Sequence, residues 1–268
     1  MTSYELYGQG QDGSEVRVLL HHTPPPVPPP LRIGLDCTDS NLTTDLALYP
    51  KLAYHRVFGP GALPRHDGLK LTSLPPSCIP HVSWKTWDEA ALVTWLADVR
   101  RPMYLTYHHE PMGDIDPGLY VERAARAAEL AKAQPLILGT GPILTRYWLE
   151  QGNGNPDIWR FAGQTFWGID CYALAGSLRY VTPEEMFGAA VFLGRRDSLP
   201  VLIPEWGIER LAGDTAGQLR AQSLRDSIRY LRDSQVAAVG YWNIDAARRH
   251  RLQGDPERAT YQTLVDMQ

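Results

Sequence analysis

The chain is predicted to fold as a single-domain (β/α)8 TIM barrel behind a short N-terminal arm, on three observations. From Leu31 onward, eight short apolar runs alternate with helical segments over about 240 residues, the count and size of that fold. Acids and aromatics gather where the runs end, at the face on which such barrels carry their active sites. No Gly-rich phosphate turn follows the first run, so a doubly wound open sheet lacks its usual mark.

The first thirty residues differ from the rest. Residues 15–20 (EVRVLL) alternate as one strand, and residues 24–30 (PPPVPPP) are locked into an extended, polyproline-like segment that cannot join a sheet. This segment is either a stiff linker or an arm laid along the barrel. The predicted organisation is therefore an arm and Pro-rich linker over 1–30 and a barrel over 31–268.

Residues 31–36 (LRIGLD) form the first predicted strand, ending in an acid, with a brief helix over 42–49. Residues 52–58 (LAYHRVF) are the second, followed by a long Pro/Gly loop, and 78–84 (CIPHVSW) are the third. The segment 87–100 is a helix, with residues 92, 95, 96 and 99 on one apolar face. In the fourth strand, Met103, Leu105 and Tyr107 alternate with Tyr104, Thr106 and His108, and the run closes abruptly on His109-Glu110-Pro111. An alanine-rich helix over 117–134 leads to a fifth strand at 135–139 (PLILG), then to helical turns and a Gly/Asn loop. The sixth strand is 166–172 (FWGIDCY) with its helix at 183–195, and the seventh is 199–206 (LPVLIPEW) with a helix at 216–234. The eighth is 236–243 (VAAVGYWN), and a helix over 256–267 closes the chain.

Composition excludes several functions. Hydrophobic residues make up 44% and charged residues 21%, which suits a folded core. The net charge is −4 and basic runs are short, against a nucleic-acid or anionic-membrane surface. No apolar run approaches the ~20 residues of a membrane span. The N-terminus lacks a basic-then-apolar signal pattern, leaving extracellular and cytoplasmic locations both open, and a monomer is the expected state. Cys37, Cys78 and Cys171 are odd in number and in no metal-ligand spacing, so buried thiols are expected. Eight Trp and thirteen Tyr exceed ordinary core needs; such a surplus marks either surfaces on which sugars stack or ordinary packing.

The predicted strand ends carry Asp36, His55 or Arg56, Trp84, His109-Glu110, Asp170-Tyr172, Glu205-Trp206 and Trp242-Asn243. Strands four and seven face each other across an eight-stranded barrel, so Glu110 and Glu205 can meet over its mouth. Cleaving a glycosidic bond with retention needs one acid to protonate the leaving oxygen and one carboxylate to attack, ~5–5.5 Å apart. Glu110, beside His109 and under a loop, suits the acid whose pKa must rise. Glu205, stiffened between Pro204 and Trp206, suits the nucleophile. Trp84, Trp167 and Trp206 are open to a reading as simple packing, and Trp84 and Trp206 are the two expected at the rim. Cys171 is expected to face the helices, opposite to its neighbours Asp170 and Tyr172. His108 and His109 project to opposite faces of a strand, and His-Glu-X-X-His is absent, so no metal is expected. No Gly-X-Ser-X-Gly elbow or neighbouring Cys/His pair offers another nucleophile. No cofactor is implied, and the expected partner is a carbohydrate.

These residues, in this order, resemble glycoside hydrolase family 26. The resemblance rests on His109-Glu110 on the fourth strand, Asp170-Cys171-Tyr172 on the sixth, Glu205-Trp206-Gly207 on the seventh and Trp242 on the eighth. That family belongs to the clan of retaining (β/α)8 glycosidases, including β-mannanases, some β-glucanases and β-1,3-xylanases. The resemblance implies Glu110 as acid/base and Glu205 as nucleophile, with His109 in the place of the family's histidine before the acid/base. It also implies Asp170 and Tyr172 lining the −1 subsite, Tyr172 donating to the nucleophile, and Trp242 as the sugar's stacking floor. Mannanases of the family carry arginine four residues before the acid/base, where this chain has Thr106, and Pro111-Met112 also departs from their loop. The resemblance thus reaches the chemistry further than it reaches mannan. The rival expectation is a non-catalytic, glycan-binding barrel in a surface or phage structural protein.

Overall fold

In the computed structural model of the chain, residues 2–9, 15–22, 30–59, 61–150, 154–173, 177–245 and 250–268 are described, the first two stretches by backbone alone. Thr2–Gln9 (β1) and Glu15–His22 (β2) pair antiparallel, with Thr2 opposite His22. The sequence predicts only the second of these strands, because the alternation of Tyr4 and Leu6 with Ser3 and Glu5 is too short to stand out. Apart from Pro30, the polyproline segment lies outside the described residues.

The barrel expectation holds. Its strands are Arg32–Asp36 (β3), Tyr54–Phe58 (β4), Ile79–Trp84 (β5), Met103–Tyr107 (β6), Ile137–Thr140 (β7), Ile143–Thr145 (β8), Trp167–Tyr172 (β9), Val201–Gly207 (β10) and Ala238–Trp242 (β11). All pairings are parallel, in the order β7-β6-β5-β4-β3-β11-β10-β9-β8. The sheet's two ends, β7 and β8, are consecutive in the chain and share the place of the predicted fifth strand. β7 pairs with β6 and β8 with β9, so Gly141-Pro142 carries the chain across the seam. There Gly141 N–H donates to the Leu105 carbonyl at 3.3 Å, and the Pro142 carbonyl accepts from Gly168 at 2.9 Å. A Cβ at Gly141 would collide with the carbonyl and ring of Phe166, so the crossing requires glycine.

The helices are Asp39–Leu48 (α1), Leu69–Ser73 (α2), Glu89–Ala97 (α3), Pro117–Lys132 (α4), Arg146–Glu150 (α5), Pro183–Asp197 (α6), Gln218–Asp233 (α7) and Asp255–Asp266 (α8). Their starts follow from local chemistry. Asp88 caps α3 by accepting from Ala91 N–H, Asp116 caps α4 from Leu119 N–H, and Thr182 with Glu185 closes a capping box on α6. The short α2 interrupts the stretch expected to be pure loop. The fifth unit, as expected, has only helical turns: α5 and a 3-10 turn at Pro156–Trp159. No helix among the described residues is long and apolar enough to cross a membrane.

Strand alternation sorts the residues into two layers. Ile33, Leu35, Val82, Leu105, Ile169, Ile203 and Val239 belong to the large core beneath the helices. Tyr54, Phe166, Leu202 and Ala238 make a second, smaller cluster. The same alternation corrects the placing of two tryptophans at the rim. Trp206 is fully buried, edge-on to Phe187 of α6 at 5.6 Å and to Tyr241 at 5.0 Å. Trp84 is 1% exposed, 5.8 Å from Tyr107, over a small cavity shared with Ala124 and Ala127 of α4. Both rings take the outward parity, as Cys171 does, because Ser83 and Glu205 take the inward one. Trp206→Ala is therefore expected to cost ~3–5 kcal/mol of stability, as buried large-to-small changes do. The midpoint of chemical denaturation measures it, and a near-wild-type midpoint would return Trp206 to the rim.

Candidate active site

Glu205 is set by an irregularity. The register of β10 shifts between Ile203 and Trp206 against β11 and between Leu202 and Trp206 against β9, a stretch that holds Pro204, which has no N–H for the ladder. Its side chain keeps 12% exposure, with Oε1 3.4 Å from Nε of Arg56 on β4. Oε2 accepts the Tyr172 hydroxyl at 2.9 Å. Burial, and then the Glu205 charge, push the Tyr172 phenol far above its ordinary pKa, so it stays a donor. Arg56 is fully buried. Its backbone N–H donates to Asp36 Oδ1 and its Nη1 to Ser83 Oγ, both at 2.7 Å. Burial would lower the Arg56 pKa, but Glu205 and Asp170 outweigh it and hold the guanidinium charged.

Glu110 is not the last residue of a strand. β6 stops at Tyr107, and His108 (φ 48°) and Glu110 (φ 50°) both take left-handed conformations that non-glycine residues seldom adopt. Two backbone bonds hold this turn: His108 N–H to the Trp84 carbonyl at 2.6 Å, and Glu110 N–H to the Ile143 carbonyl at 2.9 Å. The acid's turn is thereby fastened to β5 on one side and to β8, across the seam, on the other. Burial, and then the charge of Glu205, raise the Glu110 pKa, against smaller opposing pulls from Arg56 and Lys85. The two histidines part company here: His108 Nε2 lies 3.7 Å from Asp114, which also pairs with Lys85, whereas His109 Nδ1 meets Ser83 Oγ at 2.9 Å.

Asp170 and Asp36 are each 2% exposed, and both Asp170 oxygens lack a hydrogen-bond partner among the described residues. Burial first, and the Glu205 charge second, raise both pKa values well above the ordinary carboxyl range. Below them a directed chain crosses the interior. The Tyr54 hydroxyl meets His81 Nδ1 at 2.6 Å, His81 Nε2 meets Thr106 Oγ1 at 2.8 Å, and Thr106 donates to the Gly141 carbonyl at 2.8 Å. Thr106, where an arginine would have been expected of a mannanase, thus ends a hydrogen-bond chain at the barrel seam.

Aromatic rings line one side. Trp242 stacks with Phe58 at 6.1 Å and 22°, Phe58 stands edge-on to His109 at 5.5 Å, and Tyr172 stands edge-on to Trp242 at 6.5 Å. Of the predicted residues, the fold thus brings together Glu110, Glu205, His109, Asp170, Tyr172 and Trp242, and leaves out Trp84 and Trp206. Sequence reasoning missed Ser83 and Phe58 and left Arg56 undecided against His55. Parity was the available signal, since Arg56 and Phe58 alternate with His55, and Ser83 with Trp84. A separate cavity of about 610 Å³ is lined by Arg32, Tyr104, Phe166, Arg195 and Gln235 among others, but by no carboxylate.

No protein-family model matches the chain, and a comparison with curated proteins finds no match. Solved structures do match. An endo-β-1,3-glucanase of family GH128, subgroup I, from Amycolatopsis mediterranei, in complex with laminaritriose, has a TM-score of 0.56 at 13% identity, over 87% of this chain and 99% of that one. The endo-β-1,4-glucanase from Xanthomonas axonopodis pv. citri gives 0.59 at 10%, over 88% and 99%. Thermotoga maritima Cel5A, in complex with mannotriose, gives 0.60 at 11%, over 88% and 97%. At these identities the likeness establishes the barrel.

Proposed function

We propose that the protein is a retaining β-glycosidase acting on a β-linked polysaccharide or oligosaccharide of glucan, mannan or xylan type. The observation that carries the reading is the contrast between its two glutamates. Glu205 is fixed between the Arg56 guanidinium at one oxygen and the Tyr172 hydroxyl at the other, whereas Glu110 is pushed toward its protonated form by burial and by Glu205. Two acids in such different surroundings can divide the roles of nucleophile and proton donor. Glu205 attacks the anomeric carbon while Glu110 gives its proton to the leaving oxygen, forming a glycosyl ester on Glu205. Glu110, now ionised, takes a proton from water, which attacks the same carbon and frees Glu205. Asp170 and His109 sit where they can bond the sugar's hydroxyls, and Trp242 with Phe58 offers its apolar face a platform.

The substrate class follows the solved structures above, two of which are named as β-glucanases and one of which holds mannotriose. The narrower assignment to family 26 rests on motif order alone. The test incubates the protein with β-1,3-glucan, β-1,4-glucan, β-mannan and xylan, following reducing ends and the product anomer by NMR. Release of β-configured product from at least one polymer is expected. Binding without release would favour the glycan-binding barrel, and α-configured product would make the enzyme inverting.

A further inference from the structure

We propose that Ser83 fixes the tautomer of His109, leaving its Nε2–H as a neutral donor at the mouth. A guanidinium has only donors, so at the 2.7 Å contact between Arg56 Nη1 and Ser83 Oγ the serine must accept. The oxygen could accept a second time, but its own hydrogen, fully buried, would then have no acceptor among the described residues, so it is directed to His109 Nδ1 at 2.9 Å. Nδ1 is thereby an acceptor, and a neutral imidazole with an accepting Nδ1 carries its proton on Nε2. The one hydrogen bond of the His109 ring among the described residues is the one at Nδ1, and Phe58 braces the ring edge-on at 5.5 Å and 63°.

The chain Arg56–Ser83–His109 joins the two halves of the site. One guanidinium lies against Glu205 by its Nε and, through Ser83, orders the residue preceding Glu110. Neutrality is supported by the surroundings: burial, followed by the charges of Arg56 and Lys85, holds the His109 pKa down at about 3. An imidazolium beside Glu110 would instead favour its ionised form and spoil it as a proton donor. Ser83 is thus a positioning residue, and the acceptor for Nε2–H is an oxygen of the bound sugar. Only that last identification rests on the proposed glycosidase reading, since the tautomer is a property of the free protein.

Long-range 1H–15N correlation on histidine-labelled protein at neutral pH reads the tautomer directly, with His109→Gln assigning the signals. The wild type is expected to show His109 with protonated Nε2 and bare Nδ1. Ser83→Ala is expected to yield a mixture of tautomers and a kcat/KM about tenfold lower, the scale of one lost hydrogen bond. Ser83→Thr keeps the hydroxyl and is expected to restore both. A wild-type His109 protonated on Nδ1, or doubly protonated, would overturn the proposal, as would an unchanged Ser83→Ala spectrum. If the wild type cleaves no glycan yet shows the expected tautomer, the glycosidase reading fails and this one stands.

Discussion

Glu205→Ala is expected to lower turnover of a polymeric substrate on the order of 10⁴-fold or more, the loss typical of removing a nucleophile. Of the groups that hold this carboxylate, Arg56 is buried and Tyr172 half-buried, so the variant must be checked for folding. Truncating one partner of a buried ion pair can cost ~3–5 kcal/mol, because the other charge stays behind. Arg56 is cushioned against that, since Asp36 and Asp170 also act on its guanidinium. Glu205→Gln leaves an oxygen for the Tyr172 hydroxyl and is expected to fold like the wild type while losing as much activity. Adding azide to Glu205→Ala supplies an external nucleophile to the emptied space. It is expected to restore turnover of an aryl β-glycoside with a good leaving group, giving the α-glycosyl azide. Wild-type rates in both variants would remove Glu205 from the chemistry.

Those two glutamates were legible in the sequence because each stands near a strand end and the strands can be counted. Their environment was less legible, for reasons that differ residue by residue. Trp84 and Trp206 could have been placed: once Glu205 points inward, period-two alternation sends Trp206 to the helices, and local pattern suffices. Arg56 and Ser83 are harder, because their meeting depends on the register of β4 against β5, where Arg56 lies opposite His81 and Phe58 opposite Ser83. Register is a property of two strands far apart in the chain. The left-handed turns at His108 and Glu110 left no trace at all, since neither is glycine. They follow from neighbouring carbonyls at Trp84 and Ile143 that capture the N–H groups once the barrel closes. The divided fifth strand was half visible: Gly141-Pro142 reads as a break, but its use as the seam requires Phe166 beside it.

Glu110→Gln is expected to separate the two duties of the acid and to reverse its effect on stability. With a poor leaving group, loss of the proton donor should lower kcat/KM by about 10³-fold, within the range for general acid catalysis. With an aryl glycoside whose phenol needs no proton, the first step should be nearly unaffected, and glycosyl-enzyme should accumulate. In the wild type, activity on poor leaving groups is expected to fall as pH rises through the elevated pKa of Glu110, and that alkaline limb should be missing in the variant. The same shift bears on folding. The Glu110 carboxyl binds its proton more tightly folded than unfolded, where its ordinary value is 4.5. Between those two values the folded state holds more protons, so stability falls as pH rises through the window and stays lower above it. Glu110→Gln removes the ionisation and should therefore be more resistant to denaturant than the wild type at pH 7–8. Below about pH 4, where the wild-type acid is protonated in both states, that advantage should vanish. A variant no more stable at neutral pH, with its alkaline limb intact, would mean that Glu110 is not the buried acid of this site.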